Sequence, residues 1–323
     1  LKGDGHGMIK IALFTAYYSP EPILGLTKEF KDVKFDFCKD TDELKASLKD
    51  AHALITIPCS EELLEGTQQL KWVQSLRAGV DNYPLGILHE KGIVLTSAKG
   101  IHRVHMAEYA VAMMIMMARN LHVIHANRSS KKWYRRIPQD EINGKTVCIL
   151  GLGRIGSELA KKASLMGMRV LGVKRNSDPV EYVDKVYTPG DIKQFLPQSD
   201  YVVNLMPYTP ATEKIIDMEY FSLMKPDAVF LNLGRGRTVN EKELIEALQK
   251  GMIRGLVADV FYDEPLPQDS PLWTMENAII TPHICGESVN YLEKTLEVIR
   301  PNLKAFLTGQ GQMVNQVDLK TGY

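Results

Sequence analysis

Gly151-Leu-Gly-Arg-Ile-Gly156 constrains this chain more than any other segment. A strand-like run, Thr146-Val-Cys-Ile-Leu150, leads into it, and a helix-compatible run from Ser157 to Met166 follows. Strand, glycine turn and helix form the context in which such a triplet cradles a dinucleotide. Gly151 permits the tight turn. Gly153 lets the backbone approach a pyrophosphate, and Gly156 lets helix pack closely on strand. The N-terminus of the helix then offers unpaired N–H groups to a diphosphate. A glycine triplet alone also fits an ordinary loop. The flanking strand and helix favour dinucleotide binding.

A chain of 323 residues can bury a large core and is long enough to divide in two. Lys+Arg and Asp+Glu each total 39, so the net charge is zero. No long-range field then attracts nucleic acid or an anionic membrane. Cys38, Cys59, Cys148 and Cys285 form no metal-spaced pair. They read as free thiols in a reducing compartment, the cytoplasm. The longest apolar stretch, Val111 to Met117, is too short to span a bilayer. Residues 1–7 are small and polar and precede Met8, which reads as the true start. They are taken as an added leader, so His6 is not a ligand candidate.

Two βα systems follow one another. In the first, Ile9–Phe14, Val33–Phe37, Ala53–Ile57, Trp72–Ser75 and Ile93–Thr96 read as short buried strands separated by periodic segments. That alternation favours a parallel sheet covered by helices. A Met-, Ala- and Ile-rich helix is expected from Val104 to Arg119, its methionines packing a core. The second system has strands expected at 146–150, 169–173, 201–205, 228–232, 255–259 and 278–281, which suits a doubly wound sheet. Asn240-Glu-Lys-Glu243 has the form of a capping box for a helix over 241–249, and Gly251 stops it. No internal repeat or low-complexity linker appears. The tail after about Ser288 reads as helical, then extended, and periodicity does not say which sheet it joins.

Between 121 and 138 the chain is basic and aromatic. Arg128, Lys131, Lys132, Arg135 and Arg136 surround Trp133 and Tyr134 without an acid among them. A nucleic-acid site needs a broader basic field. A solvated face is the leading reading, with a loop near an anionic ligand or a subunit boundary as the alternative.

An NAD-specific fold usually ends its second strand in an acid, about 20 residues beyond the glycines, that holds the adenosine ribose. Here Arg169-Val-Leu-Gly-Val173 runs into Lys174-Arg175-Asn176, and Asp178 comes later. Lys174 or Arg175 can pair with a 2′-phosphate, which a carboxylate would repel. The alternative is a solvated strand end. The balance leans toward NADP without excluding NAD.

Four polar positions share a topological address near the ends of the later strands: Arg235, Asp259, Glu264 and His283. Ligands bind at the carboxyl ends of such strands. Singly, each fits a structural role. Together they fit hydride chemistry, in which reducing a ketone takes one hydride and one proton. His283 has the type of side chain that supplies a proton near neutrality. Glu264 can orient the imidazole and favour its charged form. Arg235 can grip a carboxylate and polarise the adjacent carbonyl. Asp259 lies where a nicotinamide carboxamide is positioned.

At these residues the chain resembles the D-isomer-specific 2-hydroxyacid dehydrogenases. Leu76-Arg-Ala-Gly-Val-Asp81 resembles the family's substrate loop, and Ala107-Glu108 the start of its interdomain helix. Asn143-Gly-Lys-Thr-Val147 leads into the fingerprint as it does in the family. Met206-Pro-Tyr-Thr-Pro210 resembles the cofactor-side loop, and Asn232-Leu-Gly-Arg-Gly236 the arginine turn. Asp259 to Pro265 resembles the segment with the cofactor aspartate and catalytic glutamate, and Thr281-Pro-His283 the acid/base histidine. Asn302 and Asn315-Gln-Val-Asp-Leu-Lys-Thr-Gly-Tyr323 resemble the family's C-terminal return.

The resemblance covers residues 9–323. It implies an α/β fold of two Rossmann-like domains. A doubly wound NAD(P)-binding domain, 108–288, is inserted in a flavodoxin-like substrate domain made of 8–107 plus 289–323. It implies a cleft between domains and a homodimer. Arg235, Glu264 and His283 would be catalytic. Arg77, Ala78 and Gly79 would meet the substrate. Gly151, Gly153, Arg154, Ile155, Gly156, Lys174, Arg175, Met206, Pro207, Thr212, Leu233, Gly234, Asp259, His283 and Gly286 would face NADP or NAD, with no metal. Two departures stand out: Lys174-Arg175 replaces the common acidic end, and Gly234 replaces a frequent Ala, with no functional consequence assigned.

The implied reaction is NAD(P)H-dependent reduction of a small 2-keto acid of the glyoxylate, hydroxypyruvate or pyruvate class, reversible toward the D-2-hydroxy acid. A short phosphoglycerate dehydrogenase is the second reading, with Arg77 or 128–136 holding a phosphate. A dinucleotide-sensing interaction protein is the third. Retention of all three chemical residues favours an enzyme.

Overall fold

The computed structural model describes residues 8–15, 18–57 and 59–320. The leader reading of residues 1–7, His6 included, and the last three residues of the C-terminal return lie outside the described residues. The chain forms two compact units. One runs up to Ile101 and resumes at Ser288, and the other is His102–Glu287. The helix containing Ala107-Glu108 belongs whole to the second unit.

In the first unit, β1 (Ile9–Phe14), α1 (Glu21–Glu29), β2 (Val33–Phe37), α2 (Thr41–Leu48), β3 (Ala53–Thr56), α3 (Glu61–Leu64), β4 (Trp72–Ser75), α4 (Leu85–Glu90) and β5 (Val94–Thr96) alternate. The sheet is parallel, in the order β2-β1-β3-β4-β5, the flavodoxin-like winding. Period-two alternation puts Ile11, Leu13, Ala53, Ile55 and Trp72 on one face, and Ala12, Leu54 and Val73 on the other. Both faces are covered, which is why the strands read as continuous apolar runs.

The second unit opens with α5 (Arg103–Ala118) and α6 (Leu121–Ala126). There follow β6 (Thr146–Leu150), α7 (Arg154–Leu165), β7 (Arg169–Val173), β8 (Lys185–Tyr187), α8 (Ile192–Phe195) and β9 (Tyr201–Asn204). Next come α9 (Met218–Leu223), β10 (Val229–Asn232), α10 (Glu241–Gln249), β11 (Gly255–Ala258) and β12 (Ala278–Ile280). The order is β12-β11-β10-β9-β6-β7-β8, all parallel. Winding reverses between β6 and β9, and a ligand crevice forms at such a switch point. Val147, Ile149, Val203, Leu231 and Val257 face α5 and α7, while Cys148, Leu150, Val202, Phe230 and Leu256 face the opposite core.

Two expectations need correction. The sheet has seven strands rather than six. Lys185–Tyr187 is three residues long and has only Val186 and Tyr187 as apolar residues, so it makes no apolar run. The Asn240–Glu243 capping box does not form. The Asn240 side chain makes no cap, and the Glu243 carboxylate instead accepts the Met218 N–H at 2.6 Å. A tertiary acceptor demand has won over the local one.

The returning α11 (Tyr291–Thr308) packs Leu292, Leu296, Ile299 and Leu303 onto the first sheet. The extended tail then joins the open edge of β5, with Thr96 and Gln316 paired antiparallel and the Val317 N–H donating to the Leu95 carbonyl. Asn302 fixes this return. Fully buried, it donates to Gln74 Oε1 at 2.9 Å and to the Val314 carbonyl at 3.1 Å, and accepts the Val314 N–H at 2.7 Å. Replacing Asn302 by Ala removes three hydrogen bonds: the Val314 carbonyl and N–H lose their side-chain partner, while Gln74 Oε1 keeps the Thr96 hydroxyl at 2.8 Å. The expected cost is about 3 kcal/mol, read as a lower urea midpoint with an unchanged slope. A midpoint within error of the parent would show that water replaces the amide.

Candidate active site

Gly151 leaves β6 with φ +107°, in the left-handed region that side chains avoid, and a Cβ there would sit 3.0 Å from the Leu205 carbonyl oxygen. Gly156, one turn into α7, lies against the turn itself: a Cβ would be 2.2 Å from the Gly151 oxygen. A Cβ on Gly153 would meet nothing within 4 Å, so its face is open. Gly153 also caps α7 without a side chain. The first-turn N–H groups at Arg154 and Ile155 lie at the start of α7, beside the switch point and next to this open face. This cradle fits a dinucleotide pyrophosphate.

The neighbouring strand ends complete the cradle. Lys174 is half-buried and Arg175 exposed just past β7, and neither enters an ion pair among the described residues. No acid follows until the exposed Asp178. Across the switch point, Met206 and Pro207 leave β9. Thr212 holds this loop, its hydroxyl donating to the Pro207 carbonyl at 2.8 Å and accepting the Thr209 N–H at 2.8 Å. Leu233 is buried after β10. A Cβ on Gly234 would stand 2.7 Å from the Met206 oxygen. The residue given no consequence in the sequence thus lets the β9 and β10 loops touch.

Sequence reasoning missed the polar layer beneath these loops. Asn204 and Asn232 end adjacent strands and are buried. Asn204 donates to Asn232 Oδ1 at 2.9 Å and to Thr238 Oγ1 at 2.8 Å, and its own oxygen accepts the Met206 N–H at 3.1 Å. The Thr238 hydroxyl donates to the Arg235 carbonyl at 2.7 Å. The network ties the cofactor-side loop to the arginine turn. The repeated Asn at two successive strand ends was the available signal.

Arg235 extends from the β10 turn, with Nη1 donating to the Gly234 carbonyl at 2.9 Å. Glu264 and His283 meet at the ends of β11 and β12: His283 Nδ1 lies 2.7 Å from Glu264 Oε2. The other carboxylate oxygen accepts the Phe261 N–H at 3.0 Å. Burial pushes the Glu264 carboxyl up, but the His283 and Phe261 hydrogen bonds and the charges of His283 and Arg235 outweigh it and hold it below its ordinary value. Glu264 is therefore a carboxylate well into the acid range. With Nδ1 turned to Glu264, His283 keeps Nε2 for other work.

His283 has φ +53°, a conformation that costs a non-glycine residue on the order of 1 kcal/mol and persists only when its surroundings fix it. Asp259 supplies part of that fixing. It is fully buried. Its carboxylate accepts from Thr281 Oγ1 at 2.5 Å and from the Ile284 and Cys285 N–H groups at 2.9 Å each, while its backbone oxygen accepts the His283 N–H at 2.8 Å. The sequence directs Asp259 to a nicotinamide carboxamide. The structure occupies its carboxylate with the chain on both sides of His283. Gly286 closes this turn against His102, whose Cδ2 would lie 3.1 Å from a Cβ there.

In the first unit the 76–79 loop is held from below. The Leu76 carbonyl accepts the Tyr291 hydroxyl at 2.8 Å, the Arg77 carbonyl accepts the Ala98 N–H at 2.9 Å, and the Arg77 N–H donates to Ser75 Oγ at 3.0 Å. Among the described residues, the Ala78 and Gly79 N–H groups donate to no protein acceptor. The Arg77 side chain is exposed.

The profile described as "D-isomer specific 2-hydroxyacid dehydrogenase, NAD binding domain" matches residues 111–285. The D-3-phosphoglycerate dehydrogenase of Methanocaldococcus jannaschii is 32% identical over 94% of this chain, which spans only 58% of that protein's length. The glyoxylate reductase of Korarchaeum cryptofilum is 30% identical over 93% of this chain and 95% of its own. The solved NADPH-dependent glyoxylate/hydroxypyruvate reductase of Sinorhizobium meliloti, in complex with NADP and sulfate, superposes with a TM-score of 0.83 at 25% identity, covering 98% of this chain and 100% of the other. With its dinucleotide cradle and its Arg, Glu and His at the expected strand ends, the chain belongs to the D-isomer-specific 2-hydroxyacid dehydrogenases, a family of NAD(P)-dependent oxidoreductases.

Proposed function

We propose that the protein reduces a small 2-keto acid of the glyoxylate, hydroxypyruvate or pyruvate class to the D-2-hydroxy acid. The 2.7 Å pairing of His283 with an ionised Glu264 carries this reading. NAD(P)H held at the strand ends would supply the hydride that reduces the carbonyl carbon. His283 Nε2–H gives its proton to the carbonyl oxygen, and Glu264 at Nδ1 stabilises the imidazolium that donates it. Arg235 grips the substrate carboxylate and polarises the carbonyl. The Ala78 and Gly79 N–H groups, with Arg77 beside them, serve as the substrate loop. Gly151, Gly153, Arg154, Ile155 and Gly156 hold the pyrophosphate. Met206, Pro207, Thr212, Leu233, Gly234 and Gly286 shape the cofactor's walls. Asp259 acts by fixing the turn.

The glyoxylate reductase relative, nearly equal to this chain in length, favours an unphosphorylated substrate. The test is NADPH oxidation with glyoxylate, hydroxypyruvate, pyruvate and phosphohydroxypyruvate. Preference for the phosphorylated acid would favour the phosphoglycerate dehydrogenase reading. Cofactor binding with no turnover of any would favour a sensor.

His283→Ala should lower kcat by about 100-fold or more while leaving NADPH affinity within a factor of two, because general acid catalysis contributes roughly that much. Glu264→Gln should move the alkaline limb of the reductive profile to lower pH. The carboxylate is charged above its lowered value and lies 2.7 Å from His283 Nδ1. The same pairing favours the folded state above the ordinary carboxyl range, and that favour fades as pH falls through the lowered value. An unmoved limb would detach Glu264 from the proton.

Lys174 and Arg175 are assigned to an adenosine 2′-phosphate, so NADPH should serve at least as well as NADH. Replacing both by Ala should raise the NADPH KM about tenfold, the loss of one charge-assisted contact, and leave the NADH KM nearly unchanged. Equal effects on both cofactors would leave these side chains in solvent. We also place the protein in the cytoplasm, where its four free cysteines suit the reducing medium, and assign it a homodimer. Around α6, Leu121, Ile124 and Trp133 are exposed, Trp133 by 91%, and a second copy would cover them. Light scattering at micromolar protein should give twice the chain mass, and the single-chain mass would remove the dimer.

A further inference from the structure

One face of α5 grips the catalytic turn at both ends. His105 and Tyr109 stand four residues apart, on the same side of the helix. His105 Nε2 lies 2.8 Å from the Gly286 carbonyl, three residues after His283. A carbonyl only accepts, so Nε2 carries a proton and donates. The Tyr109 hydroxyl lies 2.6 Å from Thr281 Oγ1, two residues before His283. Thr281 has one hydroxyl proton, and it points to Asp259 Oδ1 at 2.5 Å. Tyr109 must therefore be the donor to Thr281. The direction of the chain is fixed: Tyr109 to Thr281 to Asp259. Asp259 in turn receives the N–H groups of Ile284 and Cys285.

We propose that Tyr109 and His105 are positioning residues that clamp the turn bearing His283 and so set the direction of its Nε2. The turn needs such a clamp because His283 sits at φ +53° and its side chain is half exposed, so packing alone does not hold it. Tyr109 acts through Thr281: its proton leaves the Thr281 hydroxyl one orientation, toward Asp259. Burial, the leading cause, pushes the Tyr109 hydroxyl up to about 12, so it stays a donor throughout the neutral range. His105 holds the far end, where Gly286 allows His102 and the helix to approach.

The inference rests on His283 being the proton donor, and the experiment separates the two. Glyoxylate reduction by NADPH is followed for Tyr109→Phe, Thr281→Val, the double variant, His105→Ala, His105→Gln and His283→Ala. Hydrogen exchange is read on the segment 280–288. Tyr109→Phe should lower kcat about tenfold with KM within twofold, raise the solvent deuterium isotope effect on kcat, and speed exchange at 284–285. Its effect should vanish in the Thr281→Val background, since the two act in series. His105→Gln, which still donates, should keep most of the rate that His105→Ala loses. Additive losses for Tyr109 and Thr281, or unchanged exchange in Tyr109→Phe, would overturn the clamp. So would normal reduction by Tyr109→Phe while His283→Ala is inactive. Normal reduction by His283→Ala would instead overturn the reading of His283, and the clamp's positioning role with it.

Discussion

A fully buried carboxylate organises the chemical end of this molecule. Asp259 follows β11 with no exposure to water, and a polar group so placed must be hydrogen-bonded by its own chain. The Thr281 hydroxyl and two N–H groups after His283 meet that demand. Three donors drawn to one acceptor bend the segment 281–285 into a turn, and the bend imposes φ +53° on His283. From there the imidazole reaches Glu264, which is kept ionised by the same neighbourhood. Hydrogen-bonding of one buried acid therefore underlies the geometry of the His283–Glu264 pair, to which we assign the proton transfer.

A neutral polar layer performs the same service for the cofactor-side loops. Asn204 and Asn232 lie at matched register on β9 and β10 and bond across the strand gap. Because parallel strands end together at one edge, a single side-chain contact there fixes two loops at once. One of these loops carries Met206 and Pro207, and the other carries Arg235. The glycines sharpen the arrangement. Gly156 seats α7 on the Gly151 carbonyl, and Gly234 seats one loop on the other. Rigid strand ends with closely fitted loops give the orientation that hydride and proton transfer require.

The fold was legible because its signals are periodic and local. Apolar runs bounded by turn residues located all but one strand, and the glycine fingerprint located the switch point. Lys185–Tyr187 escaped because only Val186 and Tyr187 are apolar between Asp184, Lys185 and Thr188, so no apolar run marks it. The Glu243 carboxylate was misdirected because a helix start three residues upstream looks the same whether or not Met218 lies nearby. Arg235, Glu264 and His283 were legible as a set by their common place at strand ends. What they rest on was not. Tyr109 lies 172 positions from Thr281 along the chain, and no spacing rule relates them. Asp259 was legible as a strand-end acid, but its partners lie some 22–26 positions away and appear only when the turn is folded.

The residues that chemistry names and the residues that make the chemistry possible differ in how much identity they need. A proton donor must be a side chain of suitable acidity, so a short list of types fills the position. Holding that donor can be done by any hydroxyl, amide or imidazole that reaches, and by any backbone close enough to be reached. Gly234 is the limiting case. Its contribution is an absent methyl group, since a Cβ would press within 2.7 Å of the Met206 oxygen, well inside ordinary contact. A chain with Ala at this place must hold its two loops farther apart and reach the same cofactor by a different spacing. Loop separation at the strand ends is therefore a property set jointly by residues 206 and 234, and either one read alone in the sequence is silent about it.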